Sequence, residues 1–375
     1  MKIFGIICEY NPLHRGHEKQ IRYLKDTFPG CAVVCLMSGN FVQRGHPAIF
    51  DKSLRAQAAI HAGADLVLEL PVQYTLSSAE GFAAGGVSIL GKFCDGLCFG
   101  SESGDADQLM GMARALLSED FPPRLRAELD KGLSFPAARA AALGEMGALL
   151  QKPNDILAVE YCKAILAQNC CMTPLPIRRE GGYHDESIDE ENPSATAVRK
   201  LILEGGHWHS FVPHPEIYEN APVHTLEAGE RAMLYRLRTM TDEEFEALPY
   251  GSEGLWRKFM HACRSQATLE EILTATKSKR YTRTRLDRMA MCAFLGISRE
   301  MLESAAPYVR VLAFNDTGRA VLKQARQTGT FPHTGEKTAD PYETLERRAD
   351  DLYGLFAHTA EAPGQTDLRR VFYLR

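Results

Sequence analysis

No part of this 375-residue chain runs apolar for the roughly 20 residues that a membrane-spanning helix needs. The longest apolar stretches are strand-length, so no transmembrane segment is expected. The sequence lacks a CxxC pair, and its ten cysteines follow no disulfide-framework spacing: Cys31 and Cys35 stand one helical turn apart, as do Cys94 and Cys98, and Cys170 adjoins Cys171. That argues against a zinc knuckle or a stapled secreted fold. With no signal peptide, the thiols are expected to be reduced and the compartment cytoplasmic. Excess positive charge is lacking too. A formal net charge of -5 excludes a wholly basic, nucleic-acid-coating protein while allowing a local basic patch. Internal repeats and low-complexity tracts are absent.

What remains is an ordinary globular composition, 45% apolar and 24% charged, long enough for two cores. Five short apolar runs suit strands buried on both faces: Lys2–Cys8, Ala32–Met37, Asp65–Leu70, Gly96–Phe99 and Pro174–Arg178. Helical stretches separate them, which implies βαβ units and an α/β fold with a doubly wound parallel sheet. The segments after the strands (Glu9–Pro12, Ser38–Asn40, Pro71, Gly100–Glu102 and Arg179–Glu180) all emerge at the carboxyl edge, where open α/β sheets bind ligands. Near Pro222 the pattern becomes mainly helical, so we expect domains over 1–221 and 222–375. A strand-and-helix piece, Tyr308–Leu312 then Thr317–Arg326, interrupts the helices, and Gln327–Thr338 reads as a loop.

The sharpest signal follows the first strand: Glu9-Tyr10-Asn11-Pro12-Leu13-His14-Arg15-Gly16-His17. Pro12 ends the strand and His14-x-Gly16-His17 opens the first helix, whose free N–H groups and partial positive charge favour phosphate. Glycine lets a nucleotide approach the backbone. Two imidazoles three apart share one side of the turn and can donate to phosphoryl oxygens. Displacement at the α-phosphate of ATP by an anionic nucleophile needs alignment and such donors, and no general base. His14 and His17 are therefore the candidate catalytic pair. Later in the chain, Pro193-Ser194-Ala195-Thr196-Ala197-Val198-Arg199 leads into a short helix. Ser194, Thr196 and Arg199 either clamp the β,γ-phosphates or form an ordinary N-cap. Gly86–Phe93 only imitates a P-loop, since Phe93 stands where Ser or Thr is required.

The chain resembles the bacterial tRNA(Met) cytidine acetate ligases, an HxGH nucleotidyltransferase family. The segments that carry the resemblance are GIICEYNPLHRGH, LMSGNFVQRGHPAIFDKSLRAQAAI, GADLVLELP, CFGSESGD, KPNDILAVEY, YHDE, NPSATAVRK and KSKRYTRTRLDRM. They span the chain to about Arg288, and the likeness thins beyond. The resemblance implies a Rossmann-type catalytic domain that joins acetate to ATP as acetyl-adenylate. The acetyl group then passes to N4 of the wobble cytidine of elongator tRNA(Met). It implies an ATP site formed by Ile7, Cys8, Glu9, Tyr10, Asn11, Pro12, Leu13, His14, Arg15, Gly16, His17, Glu18, Lys19 and Gln20, with Gly100, Asn154 and Arg178. Asn154 is also placed to cap the helix that it opens. Turn glycine, helix cap and solvated arginine are the plain structural alternatives for the last three. Gln43, Arg44 and Lys52 are weaker candidates for holding acetate or the tRNA backbone, with a plain surface role as the alternative.

Lys277–Arg288 packs six cations and one aromatic residue into twelve positions. Lys279, Arg280, Arg283 and Arg285 are candidates to track tRNA phosphates and Tyr281 to stack on a base; a solvated basic helix face is the alternative. Magnesium is expected to accompany ATP, without a dedicated protein metal cage, and no protein partner is implied. Two rival functions share features of this pattern: a small-molecule adenylyltransferase of the HxGH type, and a non-catalytic RNA-binding protein.

Overall fold

Each of the five apolar runs becomes a strand. They are β1 (Ile3–Cys8), β2 (Ala32–Ser38), β5 (Leu66–Leu70), β6 (Gly96–Ser101) and β7 (Thr173–Arg178), with a two-residue hairpin, β3 (Phe41–Val42) and β4 (His46–Pro47), between β2 and β5. In this computed structural model the described residues are 1–178, 193–327, 332–333, 341–363 and 371–375. Arg179, Glu180, the YHDE segment and most of the loop expected at Gln327–Thr338 lie outside them.

The five long strands pair in parallel in the order β5-β2-β1-β6-β7. β1 and β2 run in register from Ile3 opposite Ala32 to Cys8 opposite Met37. β1, β2 and β5 are buried almost throughout, as continuous Val/Ile/Leu runs require when helices cover both faces. Three strands from the end of the chain extend the sheet: β8 (Val309–Phe314), β9 (Pro332–His333) and β10 (Phe372–Tyr373). β8 lies antiparallel to β5, with Leu66 opposite Phe314, and β9 and β10 pair parallel to β8. The apolar run near Tyr308 therefore adds to the catalytic sheet, and the tail Phe372–Tyr373 adds beside it. Strand direction depends on how the chain returns from the helical half, which local sequence does not encode.

After residue 222 the expected helical half opens with helices at Leu226–Thr239, Asp242–Glu246, Leu255–Ser265, Leu269–Thr276 and Arg283–Leu295. Their apolar faces bury Met233, Phe259, Ile272 and Met289 in a core that also takes in Phe41, Val72 and Leu76 from the sheet side. The halves of the chain share packed surface.

The hairpin makes the tightest of these joints. Its turn residue Gly45 has φ +81°, and a Cβ there would lie 2.6 Å from the backbone nitrogen of Arg288 and the carbonyl carbon of Asp287. Only glycine accepts both the left-handed backbone and that approach. Gly45→Ala is expected to lower stability by about 3 kcal/mol, combining left-handed strain with overpacking. A urea midpoint equal to that of the native chain would show that the joint is loose.

Candidate active site

β1 delivers its carboxyl end to a sharp turn in which Tyr10 has φ +45° and the Asn11–Pro12 peptide is cis. The helix Arg15–Thr27 then begins with His14 as its N-cap. His14 Nδ1 accepts the Gly16 amide at 3.1 Å, and His17 Nδ1 accepts the His14 amide at 3.3 Å. Histidine here plays the parts that Ser and Glu play in a capping box. The rings stack with centroids 3.7 Å apart. Because each Nδ1 accepts from a main-chain donor, each neutral ring carries its proton on Nε2. Both imidazoles are thus fixed as donors at a helix N-terminus, the form that phosphoryl oxygens require. The glycine between them has a structural use as well, since a Cβ on Gly16 would press on the His14 ring at 3.1 Å.

A buried arginine sets the strand ends beneath this turn. Arg55, fully buried, donates Nε–H to Phe50 O at 2.9 Å and its terminal N–H groups to Glu9 O at 2.6 Å, Ser38 O at 3.2 Å and Gly39 O. Three of these four acceptors are main-chain carbonyls at the ends of β1 and β2, and the arginine both satisfies them and offsets their partial negative charge. From above, Arg199 NH1 donates to Asn11 O at 2.8 Å and NH2 to Thr196 Oγ1 at 3.1 Å. Ser194 caps its helix by accepting the Ala197 amide at 3.1 Å. Ser194, Thr196 and Arg199 therefore stand beside the histidine turn, 180 residues away in sequence. Burial lowers the Arg199 pKa, and Arg44 lowers it further against the pull of Glu9.

One cavity of about 1480 Å³ gathers most of these groups. Ile7, Cys8, Glu9, Tyr10, Asn11, His14, Gly16, His17, Lys19 and Gln20 line it, as do Gly100, Asn154, Arg178, Ser194, Thr196 and Arg199. Pro12, Leu13, Arg15 and Glu18 are not among its lining residues. Leu13 is in the core, and Arg15 pairs with Glu18 at 3.3 Å. Burial pushes the Cys8 thiol well above its ordinary range, which disfavours the thiolate.

Two expected roles change. Asn154 is not the cap of its helix, Pro153–Ala167, whose N-cap is Lys152 without a side-chain bond. Glu102 takes the exposed amides instead. Its carboxylate accepts Asn154 N at 3.2 Å, Asn154 Nδ2 at 2.7 Å and Asp155 N at 2.8 Å. Asp155 in return accepts the Glu102 and Ser103 amides at 3.0 and 3.2 Å. This reciprocal clasp joins the CFGSESGD and KPNDILAVEY segments. Lys52 holds neither acetate nor tRNA: it is 1% exposed, with its ammonium 2.8 Å from Glu69 and 2.6 Å from Asp350. Gln43 and Arg44, by contrast, line the cavity.

A match to the family model described as HIGH Nucleotidyl Transferase covers residues 1–367. The chain is 37% identical to the tRNA(Met) cytidine acetate ligase of Clostridium novyi (strain NT) over 88% of its own length and 89% of that relative. It is 35% identical to the enzyme of that name from Acetivibrio thermocellus over 94% of each. The chain belongs to the tRNA(Met) cytidine acetate ligase family. Solved structures agree with that placement across the whole fold. Thermotoga maritima TmcAL in its apo form superposes with a TM-score of 0.91 at 31% identity, and TmcAL bound with alpha-thio ATP with 0.89 at 30%, each covering 100% of both chains.

Within this family fold, the basic run lies at the opening of the helix Arg283–Leu295, and much of it is engaged internally. Arg283 bridges Glu270 at 2.6 Å and Asp287 at 2.7 Å. Arg285 donates to Tyr250 O at 2.7 Å and lies over the Tyr281 ring at 4.9 Å. Arg280 and Tyr281 both reach Glu253, at 3.1 and 3.3 Å. Lys279 is exposed. The residues of this run that line the cavity are Thr282, Thr284 and Arg288. The sequence pattern had no means of singling them out, because which cations face inward depends on the hairpin that Gly45 docks. The parts played by Arg55 and by the Glu102 carboxylate are not written in local sequence for a related reason: each acts through groups distant along the chain.

Proposed function

We propose that this chain is an ATP-dependent ligase that activates acetate as acetyl-adenylate and acetylates N4 of the wobble cytidine of elongator tRNA(Met), in the cytoplasm. The observation that carries the reading is the single cavity that runs from His14 and His17, at the strand ends, to Thr282, Thr284 and Arg288 on the helical half. A small-molecule adenylyltransferase needs the first set and has no use for the second. A bare RNA-binding protein needs only the second.

In the first step, an acetate oxygen attacks the α-phosphorus and pyrophosphate leaves. His14 and His17 donate Nε2–H to the charge that builds there, and Arg199 and Arg178 face the phosphates. Gly100 and Asn154 border the nucleoside. Magnesium would arrive bound to the triphosphate; among the described residues no group of three acidic, histidine or cysteine side chains could hold it. Adenylation supplies the driving force that acetate and a weakly nucleophilic cytosine amine lack. Lys279 and Arg280, outside the cavity on the same helix approach, would receive the tRNA backbone and Tyr281 would stack on a base, with Arg283 and Arg285 completing that surface.

ATP–pyrophosphate exchange tests the reading. Exchange by the purified chain is expected to depend on acetate. Exchange only with a phosphorylated metabolite would favour the adenylyltransferase, and none with either would favour the RNA-binding protein.

A further inference from the structure

We propose that His46 is the base that accepts the proton of the attacking amine in the acetyl-transfer step, a role that rests on the ligase reading above. Adenylation sheds no proton, but transfer must. The N4 lone pair forms a C–N bond to the acetyl carbon, the bond from that carbon to the AMP oxygen breaks, and AMP leaves with the electron pair. One N4 proton then has to go to an acceptor. His14 and His17 cannot serve without giving up the main-chain bonds that fix each Nδ1 as an acceptor. A third cavity-lining imidazole, His224, is stacked on Tyr353 at 3.9 Å with its Nε2 2.9 Å from Glu361.

His46 lies on β4, its side chain is 45% exposed, and it lines the same cavity as His14, Thr282 and Thr284. The hairpin that carries it is held at three points: Gln43 N donates to Glu9 Oε1 at 2.7 Å, Ala48 N donates to Asn40 O at 2.9 Å, and Gly45 abuts Arg288. A rigid strand positions a catalytic group better than a free loop does. Asp287 Oδ2 lies 4.0 Å from His46 Nε2, too far for a hydrogen bond yet close enough to stabilise an imidazolium. Asp287 is itself held by Arg283. The charged groups around the ring are Arg44 on its own hairpin, Arg199 from the helix Ala195–Leu203, and Arg283 and Asp287 from the helix Arg283–Leu295. Partial burial and the three guanidiniums lower the ring's pKa against the opposing pull of Asp287. That shift favours the neutral imidazole, the form that can accept a proton.

The experiment compares the two half-reactions in the full-length chain: acetate-dependent pyrophosphate exchange, and acetyl transfer to tRNA(Met) carrying an unmodified wobble cytidine. His46→Gln is expected to slow transfer on the order of a hundredfold more than it slows exchange. Native transfer should rise with pH below neutrality and then level off, a limb that His46→Gln removes. Asp287→Asn, which takes away the carboxylate that raises the His46 pKa, should move the limb to lower pH. Equal losses in both half-reactions would mean that the substitution only disturbs the hairpin, and a retained limb would mean that another group takes the proton. Either result overturns the assignment. A native chain without acetate-dependent exchange would instead remove the ligase reading on which it stands.

Discussion

Replacing both His14 and His17 with alanine is expected to lower acetate-dependent pyrophosphate exchange by at least about a thousandfold, since one preorganised donor to a developing oxyanion is commonly worth 10²–10³. The two losses will not simply multiply, because stacked rings that cap one another act as a unit. The same rings hold the helix N-terminus, so a loss of fold must be separated from a loss of chemistry. An N-cap is worth about 1 kcal/mol, too little to unfold the chain. His14→Asn makes the distinction directly. Asparagine caps helices well but ends short of the Nε2 position, so this variant should keep the native unfolding midpoint and still lose most exchange. Exchange at the native rate in the double alanine variant would show that the turn does not hold the reacting phosphate.

The histidine turn was legible in sequence because all its determinants are local: a strand, a cis-compatible Asn-Pro, a glycine and two rings within one helical turn. The parallel strands were legible for the same reason, although β7, at the edge of the sheet, is only partly buried and departs from the burial on both faces that its composition suggests. Features that join distant segments were not. β8 pairs antiparallel with β5 across a separation that no local pattern records. Lys52 looked like a loop cation because its two carboxylate partners, Glu69 on β5 and Asp350 on the helix Pro341–Tyr353, are distant in sequence. Asn154 looked like a cap because Glu102, which takes that role, sits at the end of another strand. The basic run illustrates the limit from the other side. A count of cations finds it, but Glu270, Asp287 and Glu253 neutralise much of it, and only the folded hairpin determines that Arg288 faces the cavity.

Lys52→Met is expected to be the most destabilising single change outside the cavity, on the order of 3–5 kcal/mol, because it strips one cation from a buried cluster and leaves carboxylates without compensation. The cluster ties the catalytic sheet to the end of the chain. Lys52 contacts Glu69 and Asp350, and Arg310 contacts Glu69 at 2.7 Å and both Glu346 and Asp350 at 3.1 Å. Asn40 donates to Asp350 at 3.2 Å, and the Val72 amide donates to Glu346 at 2.7 Å. Two cations therefore face three carboxylates, and the surplus shows in their titration. Burial would raise Glu69, but Arg310 and Lys52 hold it below its ordinary value. Glu346 goes the other way, raised by burial to about 7 despite Arg310. A carboxyl whose folded pKa lies above its unfolded value near 4.5 keeps its proton longer in the fold. Its contribution to stability is thus complete below the unfolded value and is lost as pH rises through about 7. Urea unfolding between pH 5 and about 8 should show this decline in the native chain and a flatter profile in Glu346→Gln, where the Glu346 proton is no longer there to lose. Lys52→Met should steepen the decline, and Lys52→Met with Asp350→Asn should recover part of the loss by restoring the original charge difference. At a temperature where Lys52→Met remains folded, its KM for acetate should stay within about twofold of the native value, since a lost ligand would instead raise KM. A much larger rise would return Lys52 to the binding site from which its burial removes it.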